Sequence, residues 1–200
     1  MSQSNLLFVS FNENLVMYDV EQIKNLLTQA KNGDTEAFGT VYESYFSQIY
    51  RYIYFRVKDK ELTEDLVQTV FIKIFVNLDS FNPKYPRTYF FTVAKNIITD
   101  HWRKKKDILF DEKDSTFAKV ADHGNDPHSD MEDKERNSMV QKAIGLLQDD
   151  QQEVVQLKFI HQLSNKEIAQ ILNKNETAVR QLQCRGLKKL REYFKENNVL

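Results

Sequence analysis

The 200-residue chain has one cysteine, Cys184, three prolines and five glycines. A lone cysteine excludes an internal disulfide and any cysteine-pair zinc site, and it fits a reducing compartment, so the cytoplasm is the expected location. So little glycine and proline argues against a turn-rich sandwich. With 41% hydrophobic and 28% charged residues, the composition suits compact helices. Long apolar runs are also missing. The early run Leu6-Leu7-Phe8-Val9 has no basic residue before it and is too short for a signal h-region or a membrane span.

A strong net charge is lacking as well, the total being -1. Counted between composition breaks, however, residues 1–19 carry -2, residues 20–106 carry +4, residues 107–137 carry -6 and residues 138–200 carry +3. Two basic blocks therefore flank an acidic bridge. Basic modules pair with phosphate and an acidic segment is repelled by it, a pattern that suits two separate nucleic-acid footprints or simply a solvated surface.

Between Val20 and Lys106 apolar residues recur at helical spacing, as in Ile23, Leu26, Leu27 and Ala30, and again in Leu62, Leu66, Val70 and Ile74. Four helices are predicted. The first closes at Asn32-Gly33, and Asp34 caps a second that runs to about Lys58. The third starts after Asp59, turns Leu66, Val67, Val70, Phe71 and Ile74 inward, and leaves Glu61, Glu64, Asp65, Gln68 and Lys73 outside. A loop with Asn82-Pro83 and Tyr85-Pro86 follows, because each proline biases its predecessor away from the helical region. The fourth helix runs from about Arg87 to Lys105. Residues 107–137 read as an acidic, flexible linker.

From Ser138 the periodicity returns, with a helix carrying Val140, Ile144 and Leu147. Asp150 with Glu153, and Ser164 with Glu167, each have the spacing of a capping box. Asn173-Lys174-Asn175 makes a tight turn, and Glu176 opens a last helix to about Phe194. The layout over 164–186 is a helix-turn-helix. The last helix has an apolar face at Val179, Leu182, Gly186 and Leu190 and a polar face with Thr177, Arg180, Gln181, Cys184 and Lys188. Arg180 and Gln181 are residue types that make bidentate contacts with guanine and adenine in the major groove, while Arg185, Lys189 and Arg191 suit phosphates. A plain helical hairpin with a solvated basic end is the bland alternative.

These residues carry a family resemblance. Leu147 to Phe159, Leu163 to Leu172 and Thr177 to Arg191 closely resemble region 4 of the extracytoplasmic-function (ECF) group of the sigma-70 family, which binds the minus-thirty-five promoter element. Two departures stand in the turn: Asn173 where the family often has glycine, and Lys174 where it often has an apolar residue. Independently, Ala30 to Asp34 with Glu36, Phe38 and Val41-Tyr42 resembles the opening of sigma region 2. Glu64-Asp65-Leu66-Val67-Gln68 with Val70, Phe71 and Lys73 resembles its most characteristic helix, and Thr88 to Asn96 with Asp100 to Arg103 its closing one.

The resemblance implies an all-α chain of two small helical domains: an unassigned extension at 1–19, region 2 at 20–106, the linker at 107–137 and region 4 at 138–200. It further implies a protein with no catalytic centre and no cofactor, bound to core RNA polymerase through the beta-prime clamp helices and the beta subunit, to promoter DNA, and to an anti-sigma factor. Polymerase contact falls on Glu64, Asp65, Gln68 and Lys73. Minus-ten contact falls on Phe81, Asn82, Lys84, Tyr85, Arg87, Lys95 and Arg103, since a captured base needs a stacking surface and a polar rim. Minus-thirty-five contact falls on Thr177, Arg180, Gln181, Cys184, Arg185 and Lys188.

Tyr89 fits the core and the DNA face equally. The aromatic series Tyr42, Tyr45, Phe46, Tyr50, Tyr52, Tyr54 and Phe55 reads as helix packing rather than a stacking platform. His123 and His128 lack the scaffold that orients metal ligands. A helix-turn-helix regulator that never enters polymerase accounts for 138–200 but not for the 64–73 motif. A DNA recombinase would need a nucleophile with an arginine cluster or a metal-binding carboxylate set, and neither is apparent.

Overall fold

The computed structural model describes residues 18–80, 85–111 and 139–197, and these contain helices and turns with no strand. The helix α1 (Val20–Lys31) is opened by a reciprocal pair, Gln22 N–H donating to the Asp19 carboxylate and Asp19 N–H to the Gln22 amide oxygen, both at 2.8 Å. It ends at Asn32-Gly33, where Gly33 takes the left-handed φ of 99° that the chain reversal requires. Asp34 then caps α2 (Thr35–Val57), accepting from Glu36 N–H and Ala37 N–H at 3.0 Å. Asp59 caps α3 (Lys60–Val76) through Leu62 N–H at 2.9 Å. Each such cap contributes about 1 kcal/mol. Together they punctuate the first three helices where the sequence predicts.

The fourth helix, α4, spans Pro86–Asp111. It continues five residues past Lys106, so the first part of the expected linker is helical. Nothing from Asp107 to Asp111 breaks a helix, since neither proline nor glycine occurs there. The rest of the linker, His123 and His128 among it, lies outside the described residues.

In the C-terminal half, α5 is described over 139–145 and is followed by α6 (Asp149–Val155), a π-helical turn (Gln156–Ile160), α7 (Asn165–Leu172) and α8 (Glu176–Glu196). The capping box expected at Asp150 and Glu153 does not form. The helix starts two residues earlier, with Gln148 as its cap and Gln148 N–H reaching the Gln151 side chain at 3.4 Å. Asp149 and Asp150 both fall in the positive first turn, and Glu153 is left a full turn further on. It is buried there.

The helices α1 to α4 enclose Ile49, Tyr52, Ile53, Val67, Val70, Ile74, Phe90, Phe91 and Ala94, while α6 to α8 enclose Val154, Leu157, Leu163, Ile168, Ile171 and Val179. The two sets are not separate cores: they join into one apolar cluster, and α7 lies against α4. A tether between two independent modules is all the sequence suggests. The structure instead has the modules docked on each other.

Candidate polymerase and promoter interfaces

Two devices fix the helix-turn-helix. Ser164 and Glu167 form the expected box, with Glu167 N–H donating to Ser164 Oγ at 3.2 Å and Ser164 N–H to the Glu167 carboxylate at 2.8 Å. At the far end Asn173 adopts φ 51°, Lys174 N–H reaches Ala169 O at 2.9 Å and Asn173 N–H reaches Gln170 O at 3.3 Å. That is the two-bond closure usually built on glycine; asparagine tolerates the left-handed region best among side-chain-bearing residues. Asn175 then caps α8 through Ala178 N–H at 2.7 Å. Lys174 ties the turn to α6 through Asp150, Nζ to Oδ2 2.9 Å. The turn is therefore closed despite both departures from the usual residues.

This geometry fixes the rotation of α8. Val179 and Gly186 are buried, and Gly186 is where α8 and α6 approach: a Cβ there would lie 3.0 Å from Val155 Cγ2. Thr177, Arg180, Gln181, Cys184, Arg185 and Lys188 are all exposed. Arg180 pairs with Glu176 at 3.6 Å and Lys188 with Glu192 at 4.0 Å, both in solvent. Exposed pairs of this kind are worth little, so a phosphate or a base edge displaces them at small cost.

The second surface is the outer face of α3, where Glu64, Asp65, Gln68 and Lys73 are exposed. Two apolar side chains extend it, Ile72 at 63% and Val76 at 72% exposure, with Phe75 beside them edge-on to Phe38 at 4.9 Å. The helical step from 65 through 68 and 72 to 76 carries this outward stripe, and it is the signal in the sequence that an inward-looking search for core residues passes over.

The third surface is α4 and the loop before it. Phe81, Asn82 and Lys84 lie outside the described residues. Tyr85 is exposed, Lys95 half-buried, and Arg103 exposed with Asp100 at 3.2 Å. Trp102 is 40% exposed, with Lys105 Nζ 5.4 Å from its ring centroid. Tyr89 is half-buried against the core, and burial raises its phenol pKa. Of the aromatic series on α2, Tyr45 and Tyr52 are buried, Tyr45 stacking on Phe90 at 4.4 Å. Among the described residues no group of side chains is suited to hold a metal ion, and no helix is long and apolar enough to cross a membrane.

The family description Sigma-70 region 2 matches residues 41–108, and Sigma-70, region 4 matches residues 138–190. The ECF RNA polymerase sigma factor SigW of Bacillus subtilis is 31% identical over 183 residues, 87% of this chain and 97% of SigW. The chain is an ECF sigma factor of the sigma-70 family. BldN of Streptomyces coelicolor, another ECF sigma factor, is 29% identical over 86% of this chain and 66% of its own length. Two solved structures share the fold at 22% identity. CnrH in complex with the cytosolic domain of CnrY has a TM-score of 0.67 and covers 88% of this chain and 98% of its own; RpoE from Bartonella quintana, in complex with the anti-sigma factor NepR, has 0.66 and covers 79% and 96%. Sigma factors are transcription initiation factors rather than enzymes in the usual sense.

Where the two halves of this sigma factor meet, the seam is polar at its centre. Tyr52 Oη on α2 donates to Glu153 Oε1 on α6 at 2.6 Å, and Arg56 Nη1 lies 3.4 Å from Glu153 Oε2. Tyr52 is wholly buried and Glu153 is 6% exposed. Burial, then the Glu153 charge and hydrogen bond, hold the Tyr52 phenol well above its usual pKa, so it stays a donor. His161, just after the π-helical turn, lies against Phe91 and Tyr52 with ring centroids 4.9 and 5.9 Å away. Its pKa is pushed down to about 3, by burial first and then by Arg87 and Arg51. Arg87 donates to the His161 carbonyl across the seam and to Gln48 Oε1 at 3.3 Å. It is half-buried, whereas the sequence reading turns it toward DNA.

Proposed function

We propose that this sigma factor binds core RNA polymerase through the outer face of α3, reads the minus-thirty-five duplex with α8, and captures the melted minus-ten strand with residues 77–86 and the basic side of α4. Asp65 and Gln68 supply polar contacts to the beta-prime clamp helices, with Glu64 and Lys73 flanking them. Ile72 and Val76 add the apolar area that an exposed helix face otherwise has no reason to carry. Residues 20–106 and 138–200 act as the two binding modules. Binding energy does the work and no group acts as nucleophile or acid–base catalyst. Once one module is engaged, the second contact becomes intramolecular, so two modest affinities combine into a specific one.

A single observation carries this reading: one chain has an outward, capped recognition helix with Arg180 and Gln181 exposed and also an outward α3 face with Asp65 and Gln68 exposed. A regulator confined to duplex DNA needs only the first. The solved complexes of CnrH and of RpoE with their partners support an anti-sigma protein as a further partner of this chain, and promoter work places it in the cytoplasm.

Run-off transcription with bacterial core polymerase on genomic fragments that include the protein's own upstream region tests the proposal. Specific transcripts that depend on the protein and fall at least tenfold with Asp65→Ala/Gln68→Ala are expected. Promoter binding without polymerase association would sink it in favour of the regulator.

A further inference from the structure

We propose that Glu176, the first residue of α8, selects the base it faces, admitting a cytosine of the duplex and rejecting the other three bases at that position. The inference rests on the reading of α8 as the minus-thirty-five recognition helix, and adds to it one base and the residue that chooses it.

The charge pattern of α8 singles the residue out. From Glu176 to Arg191 the helix has five basic side chains, Arg180, Arg185, Lys188, Lys189 and Arg191, and a single acidic one, Glu176. That acid stands at the end of a recognition helix that comes nearest to base edges, where the phosphates of the flanking strands repel it. Local structure does not call for it. Asn175 already caps the helix, accepting from Ala178 N–H at 2.7 Å, and Lys174 with Asp150, at 2.9 Å, holds the turn from outside. The pair that Glu176 makes with Arg180 at 3.6 Å joins side chains that are 45% and 68% exposed, so it adds little to stability.

DNA changes the partners of that pair. When Arg180 turns its guanidinium to guanine O6 and N7, the Glu176 carboxylate loses the cation beside it and faces the groove as an acceptor with no proton to give. Base edges then divide by the sign they present. Guanine offers O6 and N7, and thymine O4, all acceptors that repel a carboxylate. Adenine offers the N6 donor beside the N7 acceptor, whereas cytosine offers the N4 amino donor alone. Cytosine is thus the base that attracts Glu176 with no opposing lone pair. Four residues of helix rise about 6 Å and a base pair about 3.4 Å, so the cytosine lies within about two base pairs of the guanine read by Arg180. Rejection matters as much as attraction, because a carboxylate left unmet in the groove costs binding at every wrong base.

The test mixes the full chain, alone and with bacterial core polymerase, with duplexes randomised across a minus-thirty-five window, and sequences the bound fraction. Wild type should enrich a site in which one cytosine outweighs the other bases about tenfold. In Glu176→Ala that position should become indifferent while the rest of the site survives. Binding to unrelated duplex should rise, most at low salt, because a repelled charge is gone. Glu176→Gln keeps the shape and gives the sharper sign: an amide pairs with adenine N6 and N7, so the preference should move from cytosine to adenine. Arg180→Ala should lose a guanine and keep the cytosine. An unchanged site in both Glu176 variants, with helicity preserved by circular dichroism, would overturn the proposal. So would a uniform gain across all sequences in Glu176→Ala, which would make the residue a source of general repulsion only. A wild-type protein that enriches no site, alone or with polymerase, would remove the reading of α8 itself and the cytosine with it.

Discussion

At the scale of single residues, the exposed face of α8 separates two kinds of contact. On the reading proposed above, Arg180 offers the guanidinium fork that pairs with guanine O6 and N7, while Lys188, about two turns further on, offers a point charge to a phosphate. Arg180→Ala should therefore weaken binding to the preferred minus-thirty-five duplex by about 1–3 kcal/mol and flatten discrimination at one base pair. Lys188→Ala should weaken all sequences alike and lower the salt slope by about one. Fluorescence anisotropy on a set of single-base variants, repeated across salt concentrations, reads both. Uniform loss from Arg180→Ala would mean that it touches only the backbone.

Residues whose role is settled by their immediate neighbours are the ones the sequence makes legible. Asp34, Asp59 and Ser164 cap the helices they precede, because a cap acts on amides two or three residues away and needs no tertiary context. Glu153 shows the opposite. Its spacing from Asp150 fits a capping box, yet its carboxylate meets Tyr52, 101 residues earlier in the chain. No local pattern encodes a partner that distant. Arg87 is of the same kind: its guanidinium donates to the His161 carbonyl, 74 residues away in the chain, a partner that no local pattern encodes.

Among the elements, α6 and α8 cross at Gly186, with room for a hydrogen and little more. Alanine there gains about 1 kcal/mol of helix propensity and loses a comparable amount to the 3.0 Å contact with Val155, so Gly186→Ala should be near neutral. Gly186→Val has no such compensation and should cost about 1–3 kcal/mol in urea unfolding. It should also reduce minus-thirty-five binding, since a shifted α8 presents Arg180 and Gln181 at the wrong depth. Full stability in Gly186→Val would mean that the two helices slide apart freely. The inward stripe of α3 at Leu66, Val67, Val70, Phe71 and Ile74 was readable from its period, and all five are buried. The exposed Ile72 and Val76 were not, because an apolar residue on a helix is assigned to a core by default. Nor was the π-helical turn at Gln156–Ile160, which places His161 in the seam, since its hydrogen-bond pattern has no simple sequence signature.

For the whole molecule, acid should loosen the seam between the two halves. His161 is neutral in the closed seam, with a pKa near 3, under Arg87 from α4 and Arg51 from α2, beside the Tyr52 phenol that bonds Glu153 of α6. Exposed to water on opening, it returns toward about 6.5. The open form then binds a proton that the closed form refuses. The closed state thus keeps its full advantage above about pH 7 and loses it as pH falls below about 6.5, by up to about thirtyfold at pH 5. Urea unfolding measured from pH 7.5 to 5 should show stability falling with pH, and His161→Gln should flatten the slope. Unchanged stability across that range would mean that His161 stays shielded from water when the seam is lost.

The asymmetry of the closed arrangement has a kinetic consequence. Its seam engages Arg87 at the start of α4 and leaves the six candidate base and phosphate contacts of α8 in solvent. On the promoter reading, encounter with duplex needs only α8, so a mutation in the seam should leave arrival times on DNA untouched.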